Sequence, residues 1–150
     1  MIWTNLVIGL LIMTLCLILQ VLFTFWSVRH AVRTARDGLL AGVRVLLVAM
    51  LVMLLGNFAQ IMLWGAAFSW LGEFEEFYEA VYHSAVNFTS LGYGDIVMSK
   101  SRKLMGPLEA LNGVVMLGMS GAALLAILQH LTRRQIQAGK RQAGAVGEEI

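Results

Sequence analysis

Charge is scarce in this chain. Charged side chains make up 13% of its 150 residues against 59% hydrophobic ones, and the mean hydropathy is +0.76. A soluble domain carries about 25% charge, so that class is excluded. The one cysteine, Cys16, lies inside an apolar run. A disulfide framework is therefore excluded, and Cys16 reads as a small apolar residue. The one proline, Pro107, leaves long segments without a helix breaker. No phosphate-binding glycine loop, calcium loop or internal repeat occurs. The basic residues flank apolar runs and form no separate basic domain, which argues against a nucleic-acid partner.

What the chain has instead is long apolar runs. Ile2 to Trp26 holds no charged residue. At ~1.5 Å per residue it crosses a hydrocarbon core of ~30 Å. No basic residue precedes it and several follow, so it reads as a retained helix with its N-terminus outside, not as a signal peptide. Thr14, Gln20 and Thr24 are polar members within it, suited to hydrogen bonds between helices. Residues 27–42 form a basic linker with Arg29, Arg33 and Arg36, and an interfacial helix fits them. A voltage sensor would need arginines inside a span, and these lie past its end.

Val43 to Leu71 reads as a second span, interrupted by Gly56, Asn57 and Gln60. Leu104 to Leu131 reads as a third, with Pro107 in its first turn and Gly106, Gly113, Gly118 and Gly121 along it. The linker arginines, Arg44, Arg133, Arg134, Lys140 and Arg141 fall on one side, and Lys100, Arg102 and Lys103 on the other. The basic excess marks the cytoplasmic side and places the C-terminus there. Between the second and third spans stand Glu73, Glu75, Glu76 and Glu79, either a solvated helix start or a cation-concentrating patch. Residues 75–88 make about four helical turns, too short to cross. Residues 133–150 have no apolar period and are expected to fray.

One polar island stands apart: Thr89-Ser90-Leu91-Gly92-Tyr93-Gly94-Asp95. Alternating glycines permit positive φ and can turn successive carbonyls to one side. At membrane depth, irregular backbone survives only where it lines a cavity or is buried in protein. This stretch resembles the selectivity filter of the potassium channel family, whose usual pattern is Thr-Thr-Val-Gly-Tyr-Gly-Asp. Ser90 replaces the second threonine and Leu91 the valine. Tyr82-His83-Ser84-Ala85-Val86-Asn87-Phe88 resembles the end of that family's pore helix.

Together with the apolar first run, which lies outside the family's two-helix pore unit, the resemblance implies an all-α membrane protein of three transmembrane helices plus a re-entrant pore helix and selectivity filter, assembled as a homotetramer. Its parts are an extra N-terminal helix (1–26), the linker (27–42), a pore domain (43–132) and a cytoplasmic tail (133–150). Within the pore domain the outer helix is 43–71, the pore helix 75–88, the filter 89–95 and the inner helix 104–132. It implies that carbonyls of Ser90, Leu91, Gly92 and Tyr93, continued by Gly94, hold K+ ions in place of their hydration shell, with the Ser90 hydroxyl at the inner end. Thr89, Asp95, His83, Asn87 and Glu109 are the expected support, with His83 bonded to Asp95 and Tyr93 packed against the pore helix. Gly113 falls near the family's hinge glycine. Counting turns from it puts Leu117, Gly121, Leu125 and Gln129 on one face, the expected inner pore, with Leu125 as a dewetting gate. No organic cofactor is expected. The partners are the lipid bilayer and three further copies, and the compact form suits a prokaryotic inner membrane.

A weakly selective monovalent cation channel is the nearest alternative, and a non-conducting assembly subunit is another. From a different class, Gly92-Tyr93-Gly94-Asp95 also fits the Gly-x-Gly-Asp of intramembrane aspartyl proteases. That chemistry needs two carboxylates sharing a proton. The other aspartate, Asp37, lies in the linker, and the chain turns polar soon after Asp95.

Overall fold

A computed structural model describes residues 2–34 and 38–147, with side chains as far as 140. Arg36 and Asp37 of the linker, and 148–150 of the tail, lie outside the described residues. Four helices follow in order: α1 (Ile2–Thr34), α2 (Leu39–Trp70), α3 (Phe77–Phe88) and α4 (Met105–Gly147). No strand occurs among the described residues, so the fold is all-α. Three helices, α1, α2 and α4, are long and apolar enough to cross a membrane. The 12 residues of α3 are not.

The helices outrun the apolar runs. α1 continues past Trp26 to Thr34, and α2 already begins at Leu39. The segment read as a linker is therefore helical over residues 27–34 and again from Leu39. No glycine or proline interrupts Ser27 to Thr34, and Trp26 stacks on His30 one turn later, with ring centroids 5.2 Å apart. α4 likewise passes Thr132 and runs to Gly147 where fraying was expected. Gln, Ala, Lys and Arg dominate that stretch, and they favour helix without any apolar period. α2 ends on a hydrogen-bonded reversal in which Gly72 donates to the Ser69 carbonyl and Glu73 to that of Phe68.

Two cores fix the arrangement. One surrounds α3 and holds Cys16, Ile61, Trp64, Phe68, Phe88, Met105 and Met116. The other joins the far ends of the long helices through Ala31, Val45, Ala49, Ile127 and Leu131. α1 packs on α2 and α4 of its own chain. Its buried Gln20 donates to Ser120 on α4 at 2.9 Å and accepts from Gln60 on α2 at 2.9 Å. Asn57 reaches the same Ser120 hydroxyl at 3.3 Å. The polar residues that interrupt the apolar pattern thus meet at one buried knot, and this gives α1 a fixed seat. Nearer its start, Asn5 donates to the Ser101 carbonyl at 2.7 Å.

Candidate functional site

The 89–95 segment leaves the C-terminus of α3, and that terminus is clamped on two sides. Against α2, a Cβ on Gly65 would lie 2.9 Å from Val81 Cα. Against α4, a Cβ on Gly113 would overlap the Phe88 carbonyl oxygen, so only glycine permits this approach. Gly113 is therefore buried packing for α3. It does not share the exposed face on which the sequence places it. Leu117, Gly121, Leu125 and Gln129 do lie exposed, touching little of their own chain.

The last turn of α3 organises the segment. Thr89 donates its N–H to the Ala85 carbonyl at 3.1 Å and its hydroxyl to the same oxygen at 2.7 Å. Ser90 N–H donates to Asn87 at 2.8 Å. The Val86 carbonyl accepts from Leu91 at 2.9 Å and from Gly92 at 3.4 Å. Beyond it the backbone alternates in hand. Ser90, Gly92 and Gly94 have φ of 58°, 61° and 73°, while Leu91 and Tyr93 between them do not take positive φ. An ordinary strand points successive carbonyls to opposite sides, and alternating the hand turns them toward one. Ser90 departs from the usual threonine where φ is positive. A β-branched residue sits there at greater cost, which gives the substitution a physical reason.

The supporting side chains differ from expectation. Asp95 accepts from the Tyr82 hydroxyl at 2.7 Å, and His83 is not its partner. His83 Nδ1 bonds the Ile96 carbonyl at 3.0 Å, and Nε2 bonds the Asn87 amide at 2.8 Å. Since a carbonyl only accepts, Nδ1 carries the proton and Nε2 accepts. The reason is rotation: one residue is about 100° of helix. Tyr82 and Val86 share the side facing the segment, whereas His83 turns toward Phe68 and Phe74, with ring centroids 5.7 and 5.0 Å away. The Tyr82 hydrogen bond holds the Asp95 carboxyl below the usual aspartate range, and burial lowers His83. Tyr93 is 68% exposed, so it does not pack against its own α3.

Glu109 is fully buried behind α3, within reach of Ser84 and with Asn87 beside it. Ser84 and Tyr82 have no role that the sequence alone reveals. Their signal was position, since both lie on the helix that ends in the segment. Between α2 and α3, Glu73 accepts from the Ser99 N–H at 2.8 Å and its hydroxyl at 3.0 Å, and pairs with Arg102 at 3.1 Å. It staples the loop after the segment, while Glu75 and Glu76 remain exposed.

These elements match a known arrangement. Residues 57–130 fit the model of a family described as ion channel. The match begins on α2, includes α3 and the glycine-spaced segment, and ends at His130 of α4, leaving α1 outside. No curated protein and no solved structure matches the chain. The exposed leucine, valine and phenylalanine side chains along α1 and α2 are those a lipid-facing surface requires. The chain is a multi-pass membrane protein that belongs to the pore-loop ion-channel family, with an additional apolar helix before its two-helix pore unit.

Proposed function

We propose that this channel is potassium-selective and that four copies set residues 89–95 around one axis. The observation that carries the reading is the alternation of hand from Ser90 to Gly94. One chain cannot enclose an ion. Four such segments stack carbonyl oxygens into cages that replace the hydration shell of a hard monovalent cation. α3 enters from the outer side and returns through the segment, and its C-terminus, with partial negative charge, faces the central cavity. The bond from Tyr82 to Asp95 ties the outer end of the filter to α3. A neighbouring copy covers Leu91 and Tyr93, which are exposed in the single chain. The strip of Leu117, Gly121, Leu125 and Gln129 lines the inner pore.

The arginine distribution supports an N-terminus outside and a cytoplasmic C-terminus. The placement of the ion needs no acidic or histidine cluster, because backbone oxygens are its ligands.

The test is flux from liposomes holding the purified protein, with potassium and sodium gradients measured separately and Gly92→Ala as control. Gly92 has φ of 61° and, within the single chain, no atom near its absent Cβ, so alanine there strains the backbone without a clash inside its own chain. Potassium flux that Gly92→Ala abolishes supports the reading. Equal sodium flux replaces it with a weakly selective cation channel, and no flux with a non-conducting subunit.

A further inference from the structure

The Ser84 hydroxyl has one proton and two neighbouring acceptors. Its Oγ lies 2.7 Å from the Ile61 carbonyl oxygen and 2.5 Å from Glu109 Oε1. A carbonyl oxygen only accepts, so the Ser84 proton points to Ile61. What Ser84 then turns toward Glu109 is a lone pair. An ionised carboxylate is also acceptor-only. Two acceptor oxygens at that separation repel unless a proton lies between them, and an O–H···O bond brings oxygens this close.

We propose that Glu109 carries that proton: it stands behind the filter as a neutral carboxylic acid, donates to Ser84, and so positions α3 against both α2 and α4. The surroundings agree. The polar groups acting on the carboxyl are Ser84 and Asn87 of α3, with Cys16 of α1 nearby, and no lysine or arginine is among them. Trp64 is the polar neighbour of Cys16 from α2. Glu109 Oε2 has no hydrogen-bond partner among the described residues. The carbonyl oxygen of an acid tolerates that far better than half of a buried negative charge.

The position gives the proton its consequence. Ser84 lies half a turn before Val86, whose carbonyl holds the Leu91 and Gly92 amides. Asn87, on the same turn, leads through His83 to the Ile96 carbonyl beyond the filter. Glu109 touches no ion. It is a positioning residue that acts through α3, and this consequence rests on the filter reading, whereas the protonation does not.

Infrared spectroscopy of the purified full chain decides the protonation. At neutral pH the wild type should show the carbonyl band of a protonated carboxylic acid, shifted in D2O and missing in Glu109→Gln. Melting temperature and potassium-to-sodium flux ratio decide the role. Glutamine keeps a donor of the same shape, so Glu109→Gln should stay within about twofold of the wild-type ratio, whereas Glu109→Ala and Ser84→Ala should lower it by about tenfold, the scale on which supporting residues act. A wild type without a Glu109-dependent acid band overturns the proposal, as does a glutamine variant no better than alanine. If the alanine variants do not fold, the band and the glutamine variant still decide. If the wild type proves non-selective, the filter reading fails, and the band together with the melting temperatures of the glutamine and alanine variants still judges Glu109.

Discussion

Gly113→Ala separates packing from hinging in α4. At an open helix position this change gains up to ~1 kcal/mol, because alanine is the better helix former. A hinge glycine would return that gain and stiffen the helix. In the structure the new Cβ would fall within 3 Å of three Phe88 backbone atoms: the carbonyl oxygen, its carbon and Cα. Backbone cannot step aside as a side-chain tip does. Phe88 is held from one side by the hydrogen bonds of the last α3 turn and from the other by the 89–95 segment. Overpacking of this kind costs about 1–3 kcal/mol. Because backbone must move, the cost falls in the upper part of that range, about 2–3 kcal/mol, and subtracting ~1 kcal/mol of propensity gain leaves a net loss of ~1–2 kcal/mol per chain. Gly118 is the comparison, because nothing lies within 4 Å of its absent Cβ in the single chain. Thermal unfolding of the detergent-solubilised protein, followed by circular dichroism, is the assay. The melting temperature of Gly113→Ala should fall by roughly 2–8 °C, while that of Gly118→Ala should hold or rise. A Gly113→Ala protein as stable as the wild type but with altered open probability would refute the packing argument and restore the hinge.

Three further outcomes follow from other contacts. Gln20→Leu breaks both bonds of the knot that seats α1. Such bonds inside membranes average about 0.6 and reach about 1.7 kcal/mol, so the pair should cost ~1–3 kcal/mol. A Gln20→Leu and Ser120→Ala double-mutant cycle should show positive coupling, and strict additivity would mean the knot does not hold α1. Tyr82→Phe removes the donor that keeps the Asp95 carboxyl low. In the wild type the charged form persists above that depressed pKa and is lost as pH falls through it. Without Tyr82 the loss moves back toward the ordinary aspartate range, so a fall in channel current on protonation of Asp95 is expected at higher external pH in Tyr82→Phe than in the wild type. An unchanged midpoint would show that Asp95 does not set it. Leu125→Ala should raise basal conductance by widening the inner strip, and an unaltered closed state would place the gate elsewhere.

The sequence makes the spans legible because apolar runs of that length have few other uses. It makes the irregular backbone of residues 89–95 legible because glycines two apart, closed by an acid, fit neither helix nor strand. The continuation of helix past Trp26 and Thr132 was hidden, since polar residues continue a helix as well as end it. The partner of Asp95 was hidden for a different reason. His83 and Tyr82 are neighbours in sequence, and only the rotation of α3 decides which one faces Asp95. Gly113 shows the same limit: spacing finds the glycine, but only the approach of the Phe88 carbonyl explains it. The seat of α1 was half visible, in that Gln20, Asn57 and Gln60 stood out singly, yet nothing in the chain announced that they meet at Ser120.

The most direct test of the filter is the bi-ionic reversal potential of single channels in a planar bilayer, with potassium on one side and sodium on the other. Each tenfold preference for potassium moves that potential by about 59 mV. Cages of backbone oxygen from Ser90 to Gly94 predict a displacement toward the potassium equilibrium of more than about 59 mV, abolished by Gly92→Ala. A reversal potential at zero in the wild type would contradict the filter, whatever else the channel conducts.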